Sequence, residues 1–226
     1  MDIHGRGWQR RDFILSGGLL FGSAQGAVPK DGQRPDAKVA GEKTVLVLGD
    51  SLSAEYGLAR GSGWVNLLSQ RLQREKLPYR VLNASISGDT TSGGRSRLGA
   101  LLAQHRPAVV IIELGGNDAL RGLPLSMSEA NLAAMVSEAT RAQAKVLLVG
   151  VQVPPNYGTD YAQRFAGMFD KVAKERKAPL VPSILKGLAD DADPAKWFQA
   201  DRIHPLGSAQ PIMLDTIWPS LQKLLR

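Results

Sequence analysis

Short apolar runs alternate with longer amphipathic stretches along most of this chain. The apolar runs have the length of buried strands, whereas the amphipathic stretches repeat their apolar positions at helical spacing. The strand-like runs cover residues 45–48, 79–84, 109–112, 146–149 and 179–182. Strands that alternate with helices form a parallel sheet joined by right-handed crossovers, with helices on both faces. The pattern therefore predicts one α/β domain, a three-layer α/β/α arrangement around about five strands.

Five amphipathic stretches supply the predicted helices. They cover residues 63–76, a segment around 98–102, and residues 128–143, 161–176 and 205–225. The last stretch contains Pro211 and Pro219. Both prolines are candidate breaks, because proline lacks the N–H that continues a helix.

Polar, glycine-rich turns follow the first three strands. The first turn contains Gly49-Asp50-Ser51, the second covers residues 85–90 and the third contains Gly116-Asn117-Asp118. The carboxyl ends of parallel strands lie at one edge of the sheet, where ligands bind in open α/β folds. We therefore expect the three turns to converge on one site.

Ser51 is the candidate nucleophile of that site. Just past the first strand, a serine faces the crevice and lies close to the N-terminus of the next helix. Free N–H groups there stabilise a developing negative charge. Serine is also a common helix N-cap, and this stretch alone leaves both roles open.

A serine nucleophile needs a base, and the chain has three histidines. His4 lies in the N-terminal segment, and His105 lies at a predicted helix end, where it interacts with the helix dipole. His204 opens the last helix, and Asp201 precedes it by three positions. An aspartate so placed can orient the imidazole and stabilise its charged form. The alternative role of Asp201 is a helix N-cap.

Two further residues can supply hydrogen-bond donors to an oxyanion. Gly88 has no side chain to keep its N–H from a substrate, and the Asn117 amide is an uncharged donor. Both residue types are also common in turns. The order Ser…Asp…His is that of α/β-hydrolases, although no serine here stands in their G-x-S-x-G elbow.

Composition narrows the possible chemistry. Without cysteine, the chain has no disulfide, no thiolate nucleophile and no Cys-ligated metal. The net charge of +7 comes from scattered basic residues. We therefore predict no nucleic-acid partner and at most peripheral membrane contact. Asp190, Asp191 and Asp193 lack the ligand spacing of a calcium loop, so we interpret them as a solvated turn and predict no metal site.

The N-terminus has the pattern of an export signal. Arg10-Arg11 precede an apolar run that is too short for a membrane span. Gly22-Ser23-Ala24 is the favoured cleavage site, and Ala24-Gln25-Gly26 is the alternative. The arginine pair resembles the twin-arginine motif. We predict a signal peptide at 1–24, a poorly ordered lead at 25–42 and a folded domain at 43–226, hence a periplasmic or secreted protein. An uncleaved apolar anchor is the alternative.

Four blocks together resemble the SGNH (GDSL) hydrolase family. The blocks are Gly49-Asp50-Ser51-Leu52, Gly88, Gly116-Asn117-Asp118 and Asp201-Arg202-Ile203-His204. Longer segments more closely resemble the bacterial group of multifunctional acyl-CoA thioesterases, lysophospholipases and arylesterases, a resemblance that covers about residues 43–225. These segments are residues 48–53, 83–90, 113–118, 120–122 and 155–158. The resemblance implies a flavodoxin-like sheet and a cofactor-free hydrolase of esters and thioesters. It also implies a small-molecule acyl substrate, and we expect a monomer.

The same resemblance implies a role for each site residue. Ser51 is the nucleophile, His204 the base and Asp201 its partner. The N–H groups of Ser51 and Gly88 and the side chain of Asn117 form the oxyanion hole. Asp50 and Asp118 are expected to brace the loops rather than to react. The residues implied to border the acyl pocket are Val153, Pro154, Pro155, Asn156 and Tyr157, and the two prolines argue against a large movement of this segment.

Three other functions remain as alternatives. An O-acetyl esterase acting on carbohydrate belongs to the same superfamily. A flavodoxin-like binding module needs a phosphate-cradling turn, and neither G-x-G-x-x-G nor a P-loop follows any strand. A silent SGNH-like binding protein is disfavoured because every proposed catalytic residue is present.

Overall fold

Strands and helices alternate through residues 41–226, the part of the chain that the computed structural model describes. The strands are β1 (Lys43–Gly49), β2 (Tyr79–Asn83), β3 (Val109–Glu113), β4 (Lys145–Val149) and β5 (Leu180–Val181). The helices are α1 (Trp64–Arg74), α2 (Thr91–His105), α3 (Gly116–Leu120), α4 (Leu125–Arg141), α5 (Thr159–Arg176) and α6 (Gln210–Leu224). Single 3₁₀ turns cover Pro155–Tyr157, Pro194–Trp197 and Gly207–Ala209.

The five strands form one parallel sheet in the order β2-β1-β3-β4-β5. Helices α1 and α6 pack together, as do α2, α4 and α5, so the sheet lies between two helical layers. This confirms the predicted three-layer, flavodoxin-like architecture. The chain moves outward from β1 in both directions, to β2 on one side and to β3 on the other. Such a reversal opens a crevice beyond the carboxyl ends of β1 and β3.

The centre of the sheet is the core of the domain. The apolar residues of β1 and β3 are fully buried, as are most of those in β4. Strands that are covered on both faces read as continuous apolar runs rather than as alternating ones. This burial explains why these three strands were readable from the sequence.

The C-terminal helix differs from its prediction. It begins at Gln210 rather than at residue 205, and it is continuous through Pro219. Pro211 lies in the first turn of α6, where an N–H has no partner within the helix, so it starts the helix instead of breaking it. The residues before Gln210 form part of the loop that carries His204.

No helix within residues 41–226 is long and apolar enough to cross a membrane. The predicted signal peptide, its alternative as an anchor, and all but the last two residues of the predicted lead lie outside the described part of the chain.

Candidate active site

Ser51 begins a tight turn that follows β1. The carbonyl oxygen of Asp50 accepts the N–H groups of Ser53 and Ala54 at 3.2 and 2.9 Å. Turns continue to residue 57, and α1 starts only at Trp64. Ser51 is therefore neither an N-cap nor close along the chain to a helix start, and that part of the expectation is wrong. The tight turn itself presents the hydroxyl.

A buried polar network supports this turn from behind. Ser53 Oγ donates a hydrogen bond to Glu113 Oε2 at 2.7 Å, and Trp64 Nε1 donates to Ser53 Oγ at 3.2 Å. Glu113, at the end of β3, is fully buried. Burial, and then the nearby charge of Asp50, raise the pKa of Glu113 well above its usual range, so the protonated form is favoured.

His204 joins the nucleophile to an acidic partner. Its Nε2 lies 2.9 Å from Ser51 Oγ, and its Nδ1 lies 2.7 Å from Asp201 Oδ2. Asp201 Oδ1 also accepts the backbone N–H groups of Ile203 and His204, each at 3.0 Å. Asp201 thus organises its own loop and is not the N-cap of α6, which starts at Gln210.

The protonation state of Asp201 suits this arrangement. Partial burial acts to raise its pKa. The backbone and side-chain hydrogen bonds from His204, together with the Ile203 N–H, outweigh that effect and lower the pKa to about 2. The carboxylate therefore stays ionised at neutral pH, and an ionised partner stabilises an imidazolium.

Two residues that sequence reasoning missed hold the histidine loop against the serine turn. The ring of Tyr56 lies 4.3 Å from that of His204, measured between centroids. Gln199 Nε2 donates to the carbonyl oxygens of Tyr56 and Pro205 at 2.9 and 3.3 Å. The Gln199 N–H also donates to His204 O at 2.8 Å. The contacts of Tyr56 with Gln199 and His204 join segments that are remote in sequence, so no local pattern points to them.

The predicted oxyanion donors lie on two neighbouring turns. Gly88 has a φ of +80°, a backbone conformation that favours glycine. Its carbonyl oxygen accepts a 2.7 Å hydrogen bond from Arg121 Nη2, at the end of α3. Asn117, in the first turn of α3, donates from Nδ2 to Asp50 Oδ2 at 3.1 Å. Asn117 thus touches the residue that precedes Ser51, and Arg121 ties the Gly88 turn to the same helix.

Asp118 braces the site from inside the protein. This fully buried carboxylate accepts the backbone N–H and the hydroxyl of Thr91, at 2.9 and 2.5 Å, and the hydroxyl of Ser128 at 2.8 Å. It therefore connects α3 to the starts of α2 and α4. The expectation for Asp118 was a bracing role, and these contacts supply one.

An apolar pocket of about 900 Å³ opens beside Ser51 and Asn117. Of the residues implied to border it, Val153 and Pro154 line the pocket, whereas Asn156 is exposed and Tyr157 packs on Tyr161 instead. Most of the remaining wall was not predicted; it includes Leu120, Phe165, Leu185, Pro194 and Phe198. Helical periodicity marks residues such as Phe165 as buried, but it does not tell a core from a cavity wall.

The acidic residues near position 190 stabilise the loop in which they lie. Asp191 accepts the N–H of Asp193 at 2.9 Å, the Trp197 indole N–H at 2.9 Å and the Lys196 ammonium at 3.0 Å. These hydrogen bonds lower the pKa of Asp191 to about 2. Among residues 41–226, no group of three or more His, Cys, Asp or Glu side chains is placed to hold a metal ion.

Hydrogen bonds join a serine, an imidazole and a carboxylate at the switch point of a parallel sheet. This arrangement defines the class of α/β/α serine hydrolases. The chain belongs to the GDSL-like lipase/acylhydrolase family, whose family model matches residues 47–209. This confirms the resemblance drawn from the four sequence blocks.

Individual relatives are similar over nearly their whole length. The esterase TesA of Pseudomonas aeruginosa is 50% identical over 186 residues, which are 82% of this chain and 91% of that protein. The thioesterase 1/protease 1/lysophospholipase L1 of Escherichia coli K12 is 40% identical over 188 residues, 83% and 88% of the two chains. A crystal structure of TesA superposes with a TM-score of 0.78 at 50% identity, covering 80% of this chain and 99% of that one.

Proposed function

We propose that this protein hydrolyses carboxylic ester and thioester bonds of small acyl substrates through an acyl-serine intermediate. The observation that carries the proposal is the continuous contact from Asp201 through His204 to Ser51, at 2.7 and 2.9 Å. A serine hydroxyl is a weak nucleophile unless a base accepts its proton. The imidazole is within the distance that proton transfer needs.

The reaction proceeds in two halves. Ser51 Oγ attacks the carbonyl carbon while its proton passes to His204 Nε2, and the carbonyl oxygen becomes an oxyanion. His204 then gives that proton to the departing alcohol or thiol, which leaves an acyl group on Ser51. In the second half, His204 takes a proton from water, the hydroxide attacks the acyl carbon, and the free acid leaves as the proton returns to Ser51.

The oxyanion accepts hydrogen bonds from three groups in this scheme: the N–H of Ser51, the N–H of Gly88 and the Nδ2 of Asn117. Within the described residues, neither the Ser51 nor the Gly88 N–H donates to a protein acceptor. Free, fixed donors stabilise a transition state more than a ground state, because the negative charge develops only there.

The pocket favours an acyl chain over an acetyl group. Its volume of about 900 Å³ and its aliphatic and aromatic wall exceed what two carbons need. Burying each further CH₂ of a substrate stabilises the complex by about 0.8 kcal/mol. The names of the relatives, an esterase and a thioesterase/lysophospholipase, support the same substrate class.

Turnover of p-nitrophenyl esters of increasing acyl length tests this function, with an acyl-CoA thioester and an acetylated xylan in parallel. We expect kcat/KM to rise from the acetyl ester to longer acyl chains, and Ser51→Ala to abolish turnover without lowering Tm. A preference for the acetyl ester and acetylated xylan would favour the carbohydrate O-acetyl esterase. No hydrolysis of any of these substrates would reject the proposed function.

Export by the twin-arginine route is part of the proposed function. It is supported by Arg10-Arg11 before a short apolar run and by the small residues near Ala24. Replacing both arginines by lysine should leave the precursor in the cytoplasm, as cell fractionation would detect. Unchanged secretion of that variant would instead indicate the general secretory route.

A further inference from the structure

Asp50 lies between the nucleophile turn and the oxyanion amide. The side chain is almost completely buried, with 2% of the residue exposed. Its Oδ1 accepts the N–H of Leu52 at 3.1 Å, and its Oδ2 accepts Asn117 Nδ2 at 3.1 Å. Each carboxylate oxygen therefore has its own donor.

The two ends of an asparagine amide have nearly the same shape but opposite hydrogen-bonding chemistry. The nitrogen carries two donors, and the oxygen only accepts. An ionised carboxylate has no proton to donate. If the Asn117 amide turned over, its carbonyl oxygen would meet Asp50 Oδ2 and two acceptors would face each other. The buried carboxylate thus selects one of the two amide orientations.

We propose that Asp50 is a positioning residue that fixes the orientation of the Asn117 amide, so that an N–H rather than the carbonyl oxygen faces the oxyanion. The inference rests on the oxyanion role of Asn117 in the proposed function. One proton of Nδ2 bonds Asp50, and the second remains for the substrate oxygen. Asp50 itself does not touch the reacting atoms.

The charge state of Asp50 is compatible with this role. Its neighbours are the carboxyl groups of Glu113 and Asp89, the His204 imidazole, the Leu52 N–H and the Asn117 amide. Burial is the largest effect and raises the pKa of Asp50 to about 6, against the lowering effects of the two hydrogen bonds and of His204. The carboxylate is therefore ionised, and a pure acceptor, at pH 8.

In Asp50→Asn, the group that faces Asn117 changes from a hydrogen-bond acceptor to a hydrogen-bond donor. The Leu52 N–H continues to need an acceptor, so the oxygen of the new side chain stays on that side and its NH₂ group faces Asn117. Two NH₂ groups cannot bond each other. The Asn117 amide then turns over and presents its carbonyl oxygen both to the new side chain and to the oxyanion. A donor to the transition state becomes an acceptor.

Kinetics of four variants test the inference at pH 8. We expect Asp50→Asn to lower kcat on the order of 100- to 1000-fold, as the loss of one oxyanion donor does, with KM within about twofold of wild type. Asn117→Ala should lose a similar factor. The double variant should be no slower than Asn117→Ala, because one interaction is removed only once. Asp215→Asn is the matched control: it makes the same carboxylate-to-amide change on α6, where Asp215 is exposed and pairs with Arg71 at 3.0 Å, and it should retain kcat.

A second measurement does not depend on turnover. The side-chain NH₂ signals of Asn117 in a ¹H–¹⁵N spectrum can be assigned from their absence in Asn117→Ala. They should shift in Asp50→Asn and stay in place in Asp215→Asn. Activity that remains in Ser51→Ala would reject the proposed function. The spectral shift would still test the positioning role of Asp50, because it does not depend on turnover. Unmoved Asn117 signals in Asp50→Asn, or multiplicative losses of kcat in the double variant, would overturn the inference.

Discussion

Asp50 shows how a single residue can lower stability while supporting the site. A carboxylate that is nearly free of solvent is disfavoured in the folded state. Its two hydrogen bonds offset only part of that cost, since its pKa remains raised from 3.8 to about 6. The pKa of Asp50 is higher in the folded than in the unfolded protein. The contribution of this group to stability is therefore complete only below about pH 4, and it is lost as the pH rises through 6.

Asp50→Asn should therefore be more stable than wild type at pH 8. A shift of this size corresponds to about 3 kcal/mol at 1.36 kcal/mol per pKa unit. We expect the advantage in the free energy of unfolding to approach that value at pH 8 and to shrink at pH 4, as urea denaturation at the two pH values would measure. Asp201→Asn should change stability in the opposite direction at pH 8, because the pKa of Asp201 is lowered. Equal or lower stability of Asp50→Asn at pH 8 would contradict the expectation.

Some site residues could be predicted from the sequence and others could not. Ser51, Asn117 and His204 stood out because glycine-rich turns and rare histidines mark them in the sequence. The hydrogen bond between Asp50 and Asn117 could not be predicted from the sequence, because the two residues are 67 positions apart. The contact of Gln199 with Tyr56 spans 143 positions. Hydrogen bonds of that range depend on the completed fold.

Close packing of α2 on the sheet depends on a glycine. A Cβ added at Gly94 would lie 2.3 Å from Leu114 Cδ1, and Met135 and Leu48 stand within 3.6 Å. All three neighbours are fully buried and have little room to move. The absence of a side chain therefore lets α2 approach β1 and the turn after β3.

Gly94→Ala should lower the free energy of unfolding by roughly 1–3 kcal/mol, the usual cost of overpacking a core. Gly167→Ala is the matched control, since Gly167 is an exposed position within α5 and a Cβ there meets nothing within 4 Å. That variant should gain about 0.5–1 kcal/mol from helix propensity. Chemical denaturation of both proteins checks the pair. A Gly94→Ala protein as stable as Gly167→Ala would show that the packing is looser than described.

Strands were predicted more accurately than the short helices and turns. The runs in β1, β3 and β4 are continuous because both faces of these strands are buried. Helix α3 has only five residues, too few for a periodic pattern, so the sequence indicates only a turn there. The sequence places the start of α6 too early, because Pro205 and the residues after it resemble a helix start. In the structure, the residues up to Ala209 belong to the loop that carries His204.

The topology of the whole domain assembles the site. Alternation of strands and helices predicted a parallel sheet, but not the order in which the strands lie. With β1 between β2 and β3, the turns that carry Ser51, Gly88 and Asn117 stand side by side. The loop before α6 then returns His204 to the same edge. Residues from four separate parts of the chain meet there because neighbouring parallel strands end together.

Covalent trapping of the nucleophile tests the proposed mechanism most directly. A fluorophosphonate reacts with an activated serine and stays attached, so peptide mapping by mass spectrometry identifies the labelled residue. We predict one adduct per chain, on the peptide that contains Ser51, with no adduct in Ser51→Ala and a strongly reduced labelling rate in His204→Ala. Labelling of a different residue with Ser51 unmodified, or a rate unaffected by His204→Ala, would contradict the assignment of Ser51 and its base.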